Sequence, residues 1–332
     1  MMPAMAQYLV TGAAGFIGFH VARALLGRGD RVVGLDNLSP YYDVSLKEAR
    51  IAILGESDLF TLRRIDLASD RGIERLFGES RFDAVIHLAA QAGVRYSLRE
   101  PRSYVHSNLA GTLNVLEGCR HASVTHLVVA SSSSVYGLGG RLPYSEASST
   151  DHPASLYAAT KKGCEAMAHA YAHLHGIPTT GIRLFTVYGP WGRPDMAYYK
   201  FALAMIRGEP IEVYGGTSGR DMTYIDDCVE AILGLASLPP SPGEGVSSPA
   251  PYRIVNIGNS APVTVERLIA LLEERLGVAA KRVALPPQPG DVDITCADTG
   301  SLERITGRLP STPIEEGITR FVEWFRSYHM ST

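Results

Sequence analysis

The chain has 332 residues, a formal net charge of -3, 45% hydrophobic and 20% charged residues, which fits a globular protein of roughly two domains and leaves no basic footprint for nucleic acid. Residues 1–7 contain no basic residue and the first apolar run breaks at Thr11-Gly12, so neither a signal peptide nor a span of about 20 apolar residues is expected, and no membrane partner. The four cysteines (Cys119, Cys164, Cys228, Cys296) show no Cys-x-x-Cys spacing and the ten histidines no metal-ligand spacing; this predicts reduced thiols, no metal site and a cytoplasmic protein.

Taken in chain order, Tyr8-Leu9-Val10 is a short apolar strand that runs into Thr11-Gly12-Ala13-Ala14-Gly15-Phe16-Ile17-Gly18 and then an amphipathic segment over residues 19–28. Strand, glycine turn and helix form a dinucleotide-binding opening. Gly12 permits the tight turn, Gly15 lets the backbone approach a pyrophosphate, and Gly18 lets helix and strand pack, while the helix start at Phe16 and Ile17 offers N–H donors to phosphate. A second strand, Arg31-Val32-Val33-Gly34-Leu35, ends in Asp36-Asn37, about 20 residues on, where an acid meets an adenosine ribose. Asp36 repels a 2'-phosphate and no arginine directly follows it, so NAD is expected rather than NADP.

Residues 61–65 read as a third strand followed by Asp66-Leu67, placed to meet the adenine edge. The apolar stretch over residues 83–90 then ends in Leu88-Ala89-Ala90, side chains that let a cofactor lie across the strand end. Residues 103–121, containing Asn108, and 156–175 read as long helices. Between them the strand over residues 125–130 delivers Ser131, Ser132, Ser133 and Ser134 to its carboxyl end, where open parallel sheets bind ligands. This alternation predicts an α/β, Rossmann-type doubly wound parallel sheet. Residues 1–182 are expected to form the dinucleotide-binding domain and 183–332 mainly a smaller substrate lobe, with residues of about 222–260 returning to the first domain.

Tyr157 and Lys161 stand four apart in a run of helix formers, so they project from one face. Alone, such a pair is an ordinary i,i+4 contact. At the end of a dinucleotide-binding sheet it gains a second meaning, because a phenol beside an ammonium, which stabilises the phenolate, can take a proton near neutral pH.

Together these stretches resemble the extended short-chain dehydrogenase/reductase superfamily of nucleotide-sugar enzymes: Thr-Gly-x-x-Gly-Phe-Ile-Gly, the strand-end Asp36, His87-Leu88-Ala89-Ala90, the serine run before Val135-Tyr136-Gly137, and Tyr157-x-x-x-Lys161. Residues 91–97 and 185–196 look most like the UDP-glucuronate 4-epimerases. The resemblance implies Tyr157 as the acid/base, Lys161 as the residue that holds the nicotinamide ribose, and Ser132 or Ser133 as the hydroxyl on the reacting sugar oxygen. It implies cofactor contacts at Asn108, Ser131, Phe185 and Val187. On the substrate side it implies Ala92, Thr186, Tyr214 against uracil, Arg220 and Asp291 on the nucleotide phosphates and ribose, and Arg193, with Ser133, Ser134 or Arg95, on a uronate carboxylate. Gln288 departs from the arginine that galactose-type epimerases carry there.

The expected reaction is reversible C4 epimerisation of UDP-glucuronate through a 4-keto sugar, with tightly held NAD, in a homodimer built on the two long helices. Alternatives are a UDP-glucose or UDP-N-acetylglucosamine 4-epimerase, and a dehydratase or decarboxylase of the same family. Dehydratases of the family commonly carry an Asp-Glu pair where this chain has Ser133-Ser134, which argues for epimerisation. A non-catalytic NAD sensor is disfavoured by the presence of both Tyr157 and Lys161. Elsewhere, Asp226 or Asp227 is expected to cap a helix.

Overall fold

The structure, a computed structural model, describes residues 5–138, 140–215, 218–244, 249–286 and 292–330. The first half alternates β1 (Gln7–Thr11), α1 (Phe16–Gly27), β2 (Arg31–Leu35), α2 (Val44–Leu54), β3 (Phe60–Arg63), α3 (Asp70–Glu79) and β4 (Ala84–His87). It continues through α4 (Pro101–Tyr104), α5 (Gly111–Ala122), β5 (His126–Ser132), α6 (Leu156–His175) and β6 (Thr179–Leu184). The second half contains β7 (Thr186–Tyr188), α7 (Ala197–Ile206), β8 (Pro210–Tyr214), β9 (Gly219–Tyr224), α8 (Ile225–Ala236) and β10 (Tyr252–Ile257). It ends with β11 (Pro262–Thr264), α9 (Val265–Leu276), β12 (Lys281–Leu285), α10 (Gly300–Thr306) and α11 (Ile314–Met330).

Seven strands form one parallel sheet in the order β10-β6-β5-β4-β1-β2-β3. β4 and β5 are buried along their whole length, because helices cover both faces of such a sheet; that is why they read as continuous apolar runs rather than alternating ones. The chain runs outward to β3 on one side of β1 and resumes at β4 on the other, so a crevice opens beyond the carboxyl ends of β1 and β4. The expected Rossmann-type sheet is therefore the fold. β10 returns to its edge after β7, β9 and α8 have been laid down, while β8 and β12 pair apart from it.

Local chemistry sets the elements that carry the site. Ser155 caps α6, its hydroxyl accepting from the Ala158 N–H at 3.1 Å, and Gly176 ends it in the left-handed region at φ 66. The long helix expected over residues 103–121 is instead broken by a π-helical turn, Val105–Ala110, between α4 and α5. Within that turn the Asn108 carbonyl accepts from the Cys164 thiol and its side chain from the Gln91 N–H at 2.8 Å, contacts to a neighbouring helix and loop that compete with the regular ladder. Asp226 and Asp227 do not cap α8: both lie in its first turn, behind Tyr224, and Asp227 instead accepts from the backbone of Ser311 and Thr312.

Candidate active site

A cavity of about 420 Å³ lies at the carboxyl ends of the parallel strands. Its floor is the glycine turn. Gly12 holds φ +74, and a Cβ there would stand 2.9 Å from the Ala89 backbone; at Gly18 it would stand 2.0 Å from the Gly12 carbonyl. Only glycine fits either place. α1 begins at Gly15 with no side-chain cap, so its first N–H groups are open to an anion. Asp36 is buried at the end of β2, its carboxylate accepting from the Ala14 N–H at 3.1 Å and the Leu38 N–H at 2.8 Å, with lone pairs left for ribose hydroxyls. The uncapped helix start, the side-chain-free cradle and the strand-end acid fit a dinucleotide.

Gly15, Phe16, Ile17, Asn37, Asp66, Leu67, Leu88, Ala89, Ala90, Ala92, Ser131 to Ser134, Tyr157, Lys161, Phe185, Thr186, Val187 and Arg193 all line this cavity. Asn108 does not. It stands behind the wall, donating to the Gln91 carbonyl at 3.1 Å and the Thr160 hydroxyl at 3.0 Å, so it ties the loop after β4 to α6. Gln91, Gly93, Val94 and Met196, from the stretches 91–97 and 185–196, also line the cavity, as do Ser39, Tyr41, Tyr42, Lys47 and Ser107, to which the sequence reading assigns no role. For the residues of this second set, the Tyr41-Tyr42 pair five residues beyond Asp36 is the local signal that could have found part of it.

At the catalytic corner, the Lys161 ammonium is buried and donates to the Ala130 carbonyl at the end of β5, 2.8 Å away. Tyr157, one helical turn earlier, packs edge-on against Tyr104 with ring centroids 6.0 Å apart. The serine run divides by role. Ser131 donates to Glu165 at 2.6 Å, behind the sheet, where Glu165 also takes the Arg183 guanidinium in two contacts of 2.8 and 2.9 Å. Ser132 starts a short 3-10 turn, its oxygen accepting from the Ser134 N–H at 3.2 Å. Ser133 lies half-buried on the cavity wall.

Arg193, which also lines the cavity, is not an open cation. Its Nε and Nη2 grip both oxygens of Asp195 at 3.0 and 2.7 Å, and Tyr41 donates to the same carboxylate at 3.0 Å. Burial works against ionisation of both partners, yet the guanidinium is raised and the carboxyl lowered because each charge stabilises the other. A side-on pair of this kind leaves the other edge of the guanidinium for a further acceptor. Tyr214, at the end of β8, does not line the cavity; the Arg95 guanidinium lies over its ring, 4.6 Å from the centroid. Arg220 also lies off the cavity and donates to the Gly219 and Asp293 carbonyls at 2.9 and 3.1 Å. Asp291 and Gln288 lie outside the described residues.

The model of the NAD dependent epimerase/dehydratase family matches residues 8–258, and the chain belongs to that family. A probable UDP-glucuronate 4-epimerase of Rhizobium meliloti is 49% identical over 96% of this chain and 96% of its own length. UDP-glucuronate 4-epimerase 1 of Arabidopsis thaliana is 51% identical over 97% of this chain and 77% of its length. Among solved structures, the UDP-glucuronic acid 4-epimerase of Bacillus cereus in complex with UDP-glucuronic acid and NAD superposes with a TM-score of 0.88 at 32% identity, covering 97% of this chain and 100% of that one.

Proposed function

We infer that this chain is an NAD-dependent UDP-glucuronate 4-epimerase, interconverting UDP-glucuronate and UDP-galacturonate. The observation that carries the reading is one cavity lined at once by the glycine cradle, by Tyr157, Lys161 and the serines, and by Arg193. Bound NAD supplies a reversible hydride acceptor for the sugar's C4. Gly12, Gly15, Gly18 and Asp36 would hold its adenosine and pyrophosphate end, and Lys161, Phe185 and Val187 its nicotinamide end.

Tyr157 is the general base: its phenolate oxygen takes the C4 hydroxyl proton as C4 is oxidised to a ketone, and returns that proton to the new alkoxide when C4 is reduced from the opposite face. Lys161 supplies positive charge one turn away and is itself held by the Ala130 carbonyl. The hydroxyl of Ser132 or Ser133 orients the reacting oxygen. Ser132 is already engaged as a cap, which favours Ser133 for that contact.

Arg193 holds the uronate carboxylate. A uronic acid oxidised at C4 is a β-keto acid, and it loses carbon dioxide when the C–C bond to the carboxylate aligns with the ketone. A guanidinium that fixes the carboxylate plane suppresses that alignment. Ala92, Thr186 and Ser134, which also line the cavity, are assigned to the sugar, and Tyr214, Arg220 and Asp291 to the nucleotide; Arg95, expected from the sequence on the uronate, is moved to the nucleotide because it lies over the Tyr214 ring. Residues 1–182 serve as the cofactor domain and 183–332 mainly as the substrate lobe, with the stretch around β10 going back to the first.

The working form we propose is a cytoplasmic homodimer. Val105, Leu113 and Leu174, on the two long helical segments, are exposed, and an apolar helical face of this kind is covered by a second copy in a four-helix arrangement; Cys119, Cys164 and Cys228 are buried free thiols. Sedimentation of a monomer at micromolar concentration overturns the dimer. For the activity, purified protein is stripped of nucleotide, reloaded with NAD, and assayed against UDP-glucuronate, UDP-glucose and UDP-N-acetylglucosamine. Activity on UDP-glucuronate that disappears and returns with NAD is the expected result; activity indifferent to NAD, or confined to the neutral sugars, overturns the reading.

A further inference from the structure

Arg50, on α2, is completely buried and forms no ion pair among the described residues. Its guanidinium is instead spent on carbonyls from two distant places. Nη1 donates to the Ala14 carbonyl in the glycine turn at 2.7 Å and to the Tyr42 hydroxyl at 2.8 Å; Nη2 donates to the Trp191 carbonyl at 2.6 Å and the Gly192 carbonyl at 3.2 Å. Nε has no partner. Trp191 holds φ 58, a conformation that a bulky residue keeps only when its surroundings impose it. The preceding carbonyl, Pro190, accepts from His20 of α1 at 3.0 Å. Three consecutive carbonyls just before Arg193 are thus pinned by side chains of the dinucleotide-binding half.

A buried cation without a carboxylate is costly. Arg50 stands behind the cavity lining rather than on it, and it reaches the anion-receiving glycine turn through the Ala14 carbonyl. We propose that Arg50 is a positioning residue that couples NAD binding to the placement of Arg193: Nη1 holds the Ala14 carbonyl of the glycine turn that receives the cofactor's pyrophosphate, and Nη2 holds the strained Trp191-Gly192 turn. The proposal rests on Arg193 as the uronate contact. Because coupling between two ligands is reciprocal, the uronate sugar should also tighten NAD.

The test uses Arg50→Met and Arg50→Lys in the full chain. Three quantities are read: the thermal midpoint, NAD affinity by titration of intrinsic fluorescence, and the KM for UDP-glucuronate beside the inhibition constant of UDP-glucose. Trp191 and Trp324, the two tryptophans of the chain, have ring centroids 5.3 Å apart, so fluorescence reports directly on the turn. Arg50→Met should weaken NAD about 10- to 100-fold and raise KM for UDP-glucuronate by a similar factor while UDP-glucose changes far less. Arg50→Lys keeps the charge but cannot reach both sides, so it should restore NAD affinity to within a few fold and leave the KM high. Folded variants with parental NAD affinity and parental KM overturn the proposal, and so does an equal loss of both sugars. If Arg50→Met does not fold, Arg50→Lys decides by the same readings. If the parent does not turn over UDP-glucuronate, it is the substrate reading that fails, and the NAD titration still decides: an unchanged affinity and fluorescence response overturns Arg50's part.

Discussion

The two sides of the cavity are built in different ways. The cofactor side is backbone: a glycine turn with no room for side chains, an uncapped helix start, and one strand-end acid whose oxygens brace the turn itself. The side we assign to the substrate carries long side chains already engaged with one another, Arg193 with Asp195 and Tyr41, and beyond the cavity lining Arg95 lies over Tyr214 in the same manner. A backbone cradle is rigid and general, whereas paired side chains can exchange one partner for another as a sugar arrives, turns and leaves. The ring must turn within the site for epimerisation to occur, so the adjustable wall is on the side where motion is needed.

The largest effect expected is at the boundary between the two. Tyr157→Phe removes the proton carrier while keeping the ring that packs on Tyr104. Turnover should fall about 10²- to 10⁴-fold with retained NAD close to parental, measured as nucleotide released on denaturation. A variant that keeps most of its turnover puts the base elsewhere. On the substrate side, Arg193→Ala removes the clamp and leaves Asp195 half-buried and without its counter-charge. The loss should be about 2–5 kcal/mol in kcat/KM for UDP-glucuronate, with little change in NAD affinity and with a 4-keto pentose nucleotide, the decarboxylation product, detectable by mass spectrometry. Equal epimerisation by parent and variant places the carboxylate on other residues.

That same contrast explains what can be read from the sequence. The parallel sheet is legible because β1, β2, β4 and β5 are short apolar runs ending in glycine, aspartate or small residues, each signal lying within about ten residues of its cause. The cofactor cradle is legible for the same reason, since Gly12, Gly15 and Gly18 meet each other across a single turn. The pairing of Arg193 is hidden in part: Asp195 is a neighbour in sequence, but Tyr41 comes from more than a hundred residues earlier and no local pattern points to it. Arg50 is hidden more deeply. In α2 it shares a face with Leu46 and Leu54, four residues away on either side, but nothing local says which distant carbonyls its guanidinium meets. Asn108 shows the opposite limit, a residue to which the resemblance assigns a cofactor contact and whose side chain serves the wall rather than the cavity.

A smaller effect should come from acid, and it tests the scaffold common to both sides. His87 is buried between the Thr11 and Thr112 hydroxyls, and His126 between the Ala236 carbonyl and the Thr180 hydroxyl. Burial pushes His87 down to about 3 and His126 down to about 4. Both therefore stay neutral in the folded chain while the unfolded chain takes up protons below about 6.5. The unfolded state binds more protons in that window, so stability is full above it and falls as pH drops from about 6.5 toward 4, by at most about 1.4 kcal/mol per pH unit for each group. The thermal midpoint followed from pH 7 to 4.5 should decline, and His126→Gln should flatten the slope. A midpoint that rises with acid excludes these groups as the cause.

The smallest effect separates the two ways in which Arg95 and Tyr214 can serve the nucleotide. Tyr214 is assigned to uracil, but in this structure one face of its ring carries the Arg95 guanidinium at 4.6 Å. Stacking of a cation on an aromatic ring at an accessible site contributes about 0.5–1 kcal/mol. If the base takes that face, Arg95 must first leave it, and Arg95→Ala removes the competitor. UDP should then bind about two- to fivefold tighter, read by calorimetric titration of the NAD-loaded protein, while Tyr214→Phe, which keeps a ring for both partners, should change little. Weaker binding by Arg95→Ala means that the guanidinium stays with the nucleotide, on the base from the other side or on a phosphate, and that this pair belongs to the fixed wall rather than the adjustable one.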